Sequence, residues 1–331
     1  MEKKYKLRYI ALHITYVCEN KCPYCYIGDE RRESHPPLES VERVIEKLAH
    51  EGVKEALLLG GNPCTYPYLK EVVGLLKKSN FKISILSNTL EFSKDLDFFL
   101  KNIDDFQATI LGANQKEHDA EARREGAYNI LIKNTKLING EGKGITVALT
   151  LHRNNTNILG MAENLIEKEK IQIKTLYIQR VIPRGRAEGV SEWSIKREQV
   201  SSIFEQLHKV QQKYKIGIYI EDPFPLCLVP EELRHIQQIG CQWGFTKGSV
   251  DFNGNLSRCG ADNRFLLGNI FGMDSLQNFW EINPILETFR SRKWLPEECR
   301  NCKMLERCGG GCALSKATDK DHECDVLCQF C

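Results

Sequence analysis

The sequence predicts an α/β fold, a partial (β/α)6 barrel of the TIM type over residues 1–222 followed by a small cysteine-rich domain over residues 223–331. Strand-like and helix-like segments alternate over the first part, as in βα units around a parallel sheet. About six units fit, too few for a complete eight-unit barrel, so an open α/β sheet is the alternative. Ten of the fourteen cysteines fall in the second part, which indicates a separate metal-binding or redox domain.

The predicted elements follow one another in a regular order. Apolar runs predict strands at residues 9–15, 56–59, 82–86, 106–111, 145–151 and 176–182. Helical periodicity predicts helices at residues 40–50, 68–78, 96–102, 127–138, 157–168 and 195–214. Ser194 is placed to cap the start of the last helix. Because ligands of such folds bind at the carboxyl ends of the strands, residues just after each strand are the candidates for a site.

Charge and hydropathy restrict the classes of function. Lys+Arg 46 and Asp+Glu 44 give a formal net charge of +2, which argues against a nucleic-acid partner. No apolar stretch is long enough to span a membrane, and the N-terminal segment lacks the pattern of a signal peptide. We therefore expect a cytoplasmic protein with no membrane partner. In that compartment clustered cysteines indicate metal or redox chemistry rather than disulfides.

A first group of cysteines lies in the loop after the first predicted strand, at Cys18, Cys22 and Cys25. Three thiolates this close in sequence can face one centre, and three protein ligands leave a position open for a substrate or cofactor. A structural zinc site with a distant fourth ligand is the alternative. The spacing fits zinc less well, because structural zinc sites usually pair two knuckles of two cysteines.

A second group of cysteines has a more specific spacing. Between Cys241 and Cys259 the dipeptide Asn253-Gly254 is a strong hairpin-turn signal. Farther along the chain stand Cys299-x2-Cys302-x5-Cys308-x3-Cys312 and the tail cysteines Cys324, Cys328 and Cys331. A zinc ribbon is the alternative for a C-x2-C pair.

The run CENKCPYC at residues 18–25 resembles the CxxxCxΦC signature of the radical S-adenosylmethionine (SAM) superfamily, with Tyr24 in the aromatic position. The resemblance implies that Cys18, Cys22 and Cys25 hold a [4Fe–4S] cluster whose fourth iron binds SAM. It also implies reductive cleavage of SAM to methionine and a 5′-deoxyadenosyl radical that abstracts hydrogen from the substrate. Further cofactor-binding residues that the resemblance implies are Gly60, Gly61, Asn62, Pro63, Ser87, Asn88, Thr109, Arg123 and Gln179.

Two of these segments carry open questions. The family's GGEP segment, whose backbone receives the SAM amino group, corresponds to residues 60–63, but Asn62 stands in the place of Glu. Its amide oxygen can still accept a hydrogen bond, without the charge. The segment from Gln179 to Arg186 resembles a turn that faces SAM or substrate. For Arg180 and Arg186, surface or helix-capping roles are the alternative.

The second group resembles the SPASM extension of radical SAM enzymes, which implies two auxiliary [4Fe–4S] clusters and three clusters in all. By position, a first auxiliary set comprises Cys241, Cys259 and Cys312. A second auxiliary set comprises Cys299, Cys302 and Cys308 with a tail cysteine, for which Cys328 is favoured over Cys324. The fourth ligand of the first set stays open between Cys227, Cys324, Cys331 and the substrate.

The combined resemblance implies a radical SAM/SPASM peptide maturase that oxidatively modifies or cross-links a peptide or small protein. Alternatives are modification of a small molecule or tetrapyrrole side chain, sulfatase maturation, and a non-catalytic metal module. Gly260 stands where sulfatase maturases carry an Asp base, which disfavours that activity. We expect a low-potential flavodoxin or ferredoxin as electron donor. Because Cys18 comes so early, leader-peptide recognition would use a separate protein, an unstructured substrate or the barrel itself.

Overall fold

The computed structural model of the chain describes residues 4–29, 34–92, 95–315, 325–328 and 330. The strands are β1 Tyr9–Thr15, β2 Glu55–Gly60, β3 Lys82–Ser87, β4 Asp105–Ile110, β5 Ile145–Leu151, β6 Ile173–Arg180, β7 Gly217–Ile220, β8 Lys247–Asp251, β9 Asn255–Cys259 and β10 Asp262–Asn269. The helices are α1 Leu38–His50, α2 Leu69–Lys78, α3 Leu96–Asn102, α4 Gln115–Ala122, α5 Ala127–Gly140, α6 Ile158–Glu163, α7 Gln199–Tyr214, α8 Leu276–Ile282, α9 Pro284–Ser291, α10 Glu297–Arg300 and α11 Leu305–Cys308. Within these described ranges, none of the helices has the length and apolar character needed to cross a bilayer.

The chain divides into two compact units, each built from separate segments. The first unit comprises Met1–Glu19, Ile27–Gln107 and Gln242–Ser291, and the second comprises Asn20–Tyr26, Ala108–Cys241 and Arg292–Cys331. The predicted boundary between residues 222 and 223 stays a prediction.

In the first unit the strand order is β10-β9-β8-β1-β2-β3-β4. Strand β1 pairs in parallel with both β2 and β8. All its residues after Tyr9 are buried, as expected for a strand covered on both faces of a parallel sheet. Helix α1 buries Val41, Val44, Ile45 and Leu48, which recur at the spacing that places apolar side chains on one helix face.

In the second unit the strand order is β4-β5-β6-β7, where β4 contributes residues 108–110 and its residues 105–107 belong to the first unit. Strand β6 pairs in parallel with β5 and with β7. Strand β7 is a parallel strand that the sequence did not predict, since its four residues are too short to show a pattern. Helix α7 buries Val200, Ile203, Phe204, Leu207 and Val210 along one face.

The predicted α/β class with parallel strands is confirmed, and so is the C-terminal hairpin. Strands β8 and β9 are antiparallel, with Val250 opposite Leu256. Gly254 has φ +82°, a conformation that glycine adopts without strain. The carboxylate of Asp251 accepts hydrogen bonds from the backbone N–H groups of Asn253 and Asn255, which fixes the turn.

Two predicted helices differ from the structure. Helix α7 begins at Gln199, and Ser194 instead follows the 3-10 turn Ser191–Trp193. The side-chain oxygen of Gln199 accepts a hydrogen bond from the backbone N–H of Lys196, so a side chain within the helix satisfies the preceding backbone. The predicted helix 157–168 is α6 followed by a π-helical turn, Asn164–Lys168.

Candidate iron–sulfur and cofactor site

In the first unit, the chain just after β1 lies against the chain just after β2. The backbone N–H of Gly61 donates to the carbonyl of Thr15 at 2.9 Å, and that of Asn62 donates to the carbonyl of Val17 at 2.8 Å. A Cβ added at Gly61 would overlap the Val17 carbonyl oxygen and lie 2.5 Å from that of Tyr16. Only glycine permits two backbone segments to come this close. The segment after β1 continues directly into Cys18.

Asn62 joins these two segments through its side chain, which is fully buried. Its Nδ2 donates to both carboxylate oxygens of Glu19, at 3.0 and 2.9 Å, and to the hydroxyl of Thr89 at 3.0 Å. Its Oδ1 accepts from Ser87 Oγ at 2.8 Å and from the backbone N–H of Cys64 at 3.3 Å. The predicted contact between Asn62 and SAM stays a prediction, while the structure shows how its amide is used inside the protein.

Glu19 was not among the site residues predicted from the sequence. It is exposed, directly follows Cys18, and its carboxylate is held by the buried amide of Asn62. The signal in the sequence was a carboxylate inside the cysteine motif, together with an amide where the family has a carboxylate. The two positions are 43 residues apart, so only the folded chain shows that they meet.

Ser87 ends β3 beside this network, and Asn88 follows it. The hydroxyl of Ser87 is buried and accepts hydrogen bonds from the backbone N–H groups of Thr89 and Leu90, which orders the turn after the strand. The amide nitrogen of Asn88 lies 3.8 Å from Cys18 Sγ. An N–H group at this position stabilises a thiolate, which is the form that binds metal. Half-buried Cys64, nearby, keeps its proton, because burial raises its pKa to about 12.

In the second unit, Cys22 and Cys25 form a turn that Gly185 and Arg186 hold in place. The backbone N–H of Cys25 donates to the carbonyl of Cys22 at 3.3 Å. Arg186 donates from its backbone N–H to the Cys25 carbonyl and from its side chain to the Cys22 carbonyl, both at 3.0 Å. A Cβ at Gly185 would overlap the Cys25 carbonyl oxygen and lie 2.5 Å from that of Tyr26. Arg186 therefore supports the cysteine turn.

Tyr24 stands between these two cysteines and is buried in an aromatic and polar cage. Its ring lies 5.1 Å from His152 and 5.3 Å from Trp193. Burial, followed by the nearby Cys22 and Glu121, raises the pKa of Tyr24, so the phenol stays protonated. Burial lowers the pKa of His152 to about 4, which leaves a neutral imidazole 3.5 Å from Glu121. The cage fixes the orientation of the Tyr24 ring.

Of the remaining predicted SAM contacts, Thr109 and Gln179 lie on predicted strands, whereas Arg123 follows α4, a helix that was not predicted from the sequence. Pro63 is buried and begins the 3-10 turn Pro63–Thr65. Thr109 is half-buried on β4, and Gln179 is half-buried near the end of β6. Arg123 ends α4 in the left-handed conformation, with φ 49°. Their contacts with SAM stay predictions.

Five cysteines of the second unit line one cavity of about 300 Å³. Four of them are the predicted second auxiliary set, Cys299, Cys302, Cys308 and Cys328, and the fifth is Cys227. The Sγ atoms of Cys299 and Cys328 are 3.7 Å apart, whereas a disulfide bond is about 2.05 Å long. Burial first, then Cys328, raises the pKa of Cys299 to about 12. Several cysteine thiols around one cavity are the ligand atoms expected for an iron–sulfur cluster.

Backbone groups also point at these sulfurs. The N–H of Leu226 lies 3.4 Å from Cys308 Sγ, and the N–H of Met304 lies 3.4 Å from Cys302 Sγ. Such hydrogen bonds tune iron–sulfur clusters. The cavity thus fits a thiolate-ligated cluster in its donor atoms and their surroundings.

The first auxiliary set is distributed over both units. Cys259 is buried at the end of β9 in the first unit. Cys241 and Cys312 belong to the second unit, where burial raises the pKa of Cys312 and the Cys241 thiol adds to the effect. Cys324 and Cys331 lie outside the described residues. In the part of the chain that is described, no three His, Cys or acidic side chains form a site for a single metal ion.

Two protein-family models match the chain. The model of the radical SAM superfamily matches residues 12–164, and the model of SPASM, an iron–sulfur cluster-binding domain, matches residues 241–303. The first match covers the Cys18–Cys25 turn and the glycine approach at Gly61. The second begins at Cys241 and ends just after Cys302.

Curated relatives match over most of the chain. The PqqA peptide cyclase of Gluconobacter oxydans (strain 621H) is 23% identical over 323 residues, covering 92% of this chain and 84% of that protein. The mycofactocin maturase MftC of Mycolicibacterium smegmatis is 21% identical over 324 residues, covering 93% and 78%.

Solved structures share the fold. Streptococcus suis SuiB bound to S-adenosylmethionine has a TM-score of 0.77 and 19% identity, covering 98% of this chain and 78% of that chain. SuiB bound to its precursor peptide SuiA has a TM-score of 0.76 and 19% identity, covering 98% and 76%.

Proposed function

Because the chain belongs to the radical SAM superfamily and carries a C-terminal SPASM domain, we propose that it cleaves SAM reductively and oxidatively modifies or cross-links a peptide. The observation that supports the proposal is the cysteine motif after β1, in which Asn88 lies 3.8 Å from the Cys18 sulfur and Arg186 bonds the backbone carbonyls of Cys22 and Cys25. The chain is an enzyme of this superfamily and binds SAM and iron–sulfur clusters.

Cys18, Cys22 and Cys25 are the proposed ligands of the SAM-binding cluster. When bound, that cluster supplies the electron that cleaves SAM into methionine and a 5′-deoxyadenosyl radical. The protein's contribution is placement. Asn88 faces the Cys18 sulfur, Arg186 fixes the turn of the other two cysteines, and the caged Tyr24 ring presents a fixed apolar surface.

For the auxiliary clusters we assign the five-cysteine cavity to the second cluster. Its ligands are Cys299, Cys302, Cys308 and Cys328. The first auxiliary set keeps Cys241, Cys259 and Cys312 as ligands of another cluster, so the proposed total is three. Auxiliary clusters suit oxidation, because a substrate radical must pass on an electron before the product forms.

A peptide substrate is supported by the relatives, which include a peptide cyclase and a maturase, and by SuiB, whose structure holds its precursor peptide. A separate leader-peptide-binding protein and a low-potential flavodoxin or ferredoxin are the proposed partners. The oxygen-sensitive clusters favour a reducing cytoplasm as the location.

Anaerobic reconstitution tests the function. The expected result is about 12 irons per chain, four for each cluster, with 5′-deoxyadenosine formed only when a reductant is present. Co-expression with a small peptide encoded beside this gene should lower the mass of that peptide by the hydrogens that the modification removes. Zinc binding without SAM cleavage would contradict an enzymatic function. SAM cleavage that leaves every such peptide unchanged would favour a small-molecule substrate.

We expect Glu19→Gln to weaken SAM binding about tenfold. The carboxylate beside Cys18 can accept a charge-assisted hydrogen bond from the SAM ammonium, which the neutral amide cannot replace, and such bonds contribute about 1.5–3 kcal/mol. The measurement is the dissociation constant of SAM for the reconstituted enzyme. Glu46→Gln, on the exposed face of α1, is the matched control. An unchanged constant in Glu19→Gln would remove Glu19 from the SAM site.

We expect Cys328→Ala to lose about four irons per chain and Cys227→Ala to lose none. Both thiols line the cavity, but Cys328 is buried and lies next to Cys299, whereas Cys227 is exposed. Iron and sulfide analysis after anaerobic reconstitution separates the two. Loss of iron in Cys227→Ala alone would make Cys227 the ligand instead, and full iron in both variants would favour Cys324.

A further inference from the structure

Arg180, the last residue of β6, forms a buried ion pair with Asp325 in the C-terminal tail. Asp325 is fully buried, and Arg180 is 7% exposed. The guanidinium group bonds both carboxylate oxygens, donates to the carbonyl of Pro223 at 2.9 Å, and lies 4.6 Å from the ring centre of Phe224. Arg180 is thus neither a surface charge nor a helix cap, which were the alternatives considered from the sequence.

Asp325 organises the backbone at two proposed cluster ligands, through its carboxylate at Cys312 and Leu327 and through its main-chain carbonyl at Cys328. Asp325 Oδ2 accepts a hydrogen bond from the backbone N–H of Cys312 at 2.8 Å. The Asp325 main-chain carbonyl accepts from the N–H of Cys328 at 2.8 Å, and its Oδ1 accepts from that of Leu327 at 2.9 Å. A Cβ at Gly311 would overlap the carboxylate, so the chain beside Cys312 is fitted to Asp325.

The buried carboxylate of Asp325 depends on the guanidinium group of Arg180 for charge compensation. Removing one partner of a buried ion pair leaves an uncompensated charge in a medium of low dielectric constant, which is costly. The chain then relaxes so that the remaining charge reaches water. Here relaxation of Asp325 would move the backbone that carries Cys312 and Cys328.

We propose that Arg180 is a positioning residue for the auxiliary clusters, acting through Asp325 to hold Cys312 and Cys328 in place to receive iron. The proposal rests on the proposed function, in which these cysteines ligate two auxiliary clusters. Cys312 belongs to the first auxiliary set and Cys328 closes the second. The Arg180–Asp325 ion pair would therefore support the assembly of both auxiliary clusters.

The test compares Arg180→Met, Arg180→Lys and Asp325→Asn with the unaltered protein after anaerobic reconstitution. Arg180→Met and Asp325→Asn should fall from about 12 to about four irons per chain and lose the auxiliary-cluster signals in electron paramagnetic resonance. Both should keep SAM-binding-cluster signals and reductant-dependent 5′-deoxyadenosine. Arg180→Lys, which keeps the charge, should retain more auxiliary iron than Arg180→Met. Asp95→Asn, in an exposed ion pair with Lys70, is the matched control and should keep all its iron.

The outcomes separate this inference from the proposed function. About 12 irons in the unaltered protein and in both uncharged variants, with unchanged auxiliary signals, would overturn the positioning role alone. About four irons in the unaltered protein would overturn the auxiliary clusters and the inference with them. If thermal unfolding shows that Asp325→Asn does not fold, the two Arg180 variants decide. In that case, equal auxiliary iron per folded chain in Arg180→Met and Arg180→Lys would overturn the positioning role of Arg180.

Discussion

Replacing Cys18, Cys22 and Cys25 together by alanine is expected to abolish reductive cleavage of SAM, a loss of at least about six orders of magnitude in rate. Without these thiolates the protein has no ligands for the cluster that delivers the electron. Iron content should fall from about 12 to about eight per chain, because the auxiliary sites use other cysteines. The measurement is 5′-deoxyadenosine formed by the reconstituted variant with dithionite, together with iron analysis.

Cys64→Ala is the matched control for this triple variant. Cys64 is half-buried in the 3-10 turn Pro63–Thr65 after β2 and belongs to none of the proposed sets of cluster ligands. This variant should keep its iron and its SAM cleavage. SAM cleavage retained in the triple alanine variant would refute the assignment of the SAM-binding cluster to this loop.

Gly61→Ala is expected to remove SAM binding and to destabilise the protein by at least about 3 kcal/mol. The added Cβ would overlap the Val17 carbonyl oxygen, a backbone atom that cannot move away by side-chain rotation. Relief requires the segments after β1 and β2 to separate, which would break the hydrogen bonds from Gly61 to Thr15 and from Asn62 to Val17. Thermal unfolding and the dissociation constant of SAM measure the two effects.

Gly74→Ala provides the comparison, because the chemical change is the same. Gly74 lies inside α2, and among the residues that the structure describes its added Cβ would meet Phe98, at an ordinary contact distance of 3.9 Å. An alanine inside a helix is favoured over glycine, so this variant should be more stable by about 0.5–1 kcal/mol and bind SAM normally. A Gly61→Ala protein as stable as Gly74→Ala would show that the two backbone segments do not need to touch.

Local pattern was enough to predict most of the fold. Strand β1 and helix α3 occupy the predicted residues, since an apolar run or a helical period is written in consecutive residues. The hairpin at Asn253-Gly254 was predictable for the same reason, because a turn depends on the conformation of a few adjacent residues. The ends of elements were less predictable, as at α7, which begins at Gln199 and is not capped by Ser194.

The sequence by itself determined the class of chemistry, since cysteine spacing is a local property, and the radical SAM and SPASM family models match residues 12–164 and 241–303. Only the tertiary structure decided which polar side chains meet. It joined Glu19 to Asn62 and Arg180 to Asp325, which are 145 residues apart. The physical reason is that a buried polar or charged group needs a partner, which can come from any part of the chain that the fold brings close. No periodic pattern in the sequence shows which residue that partner will be.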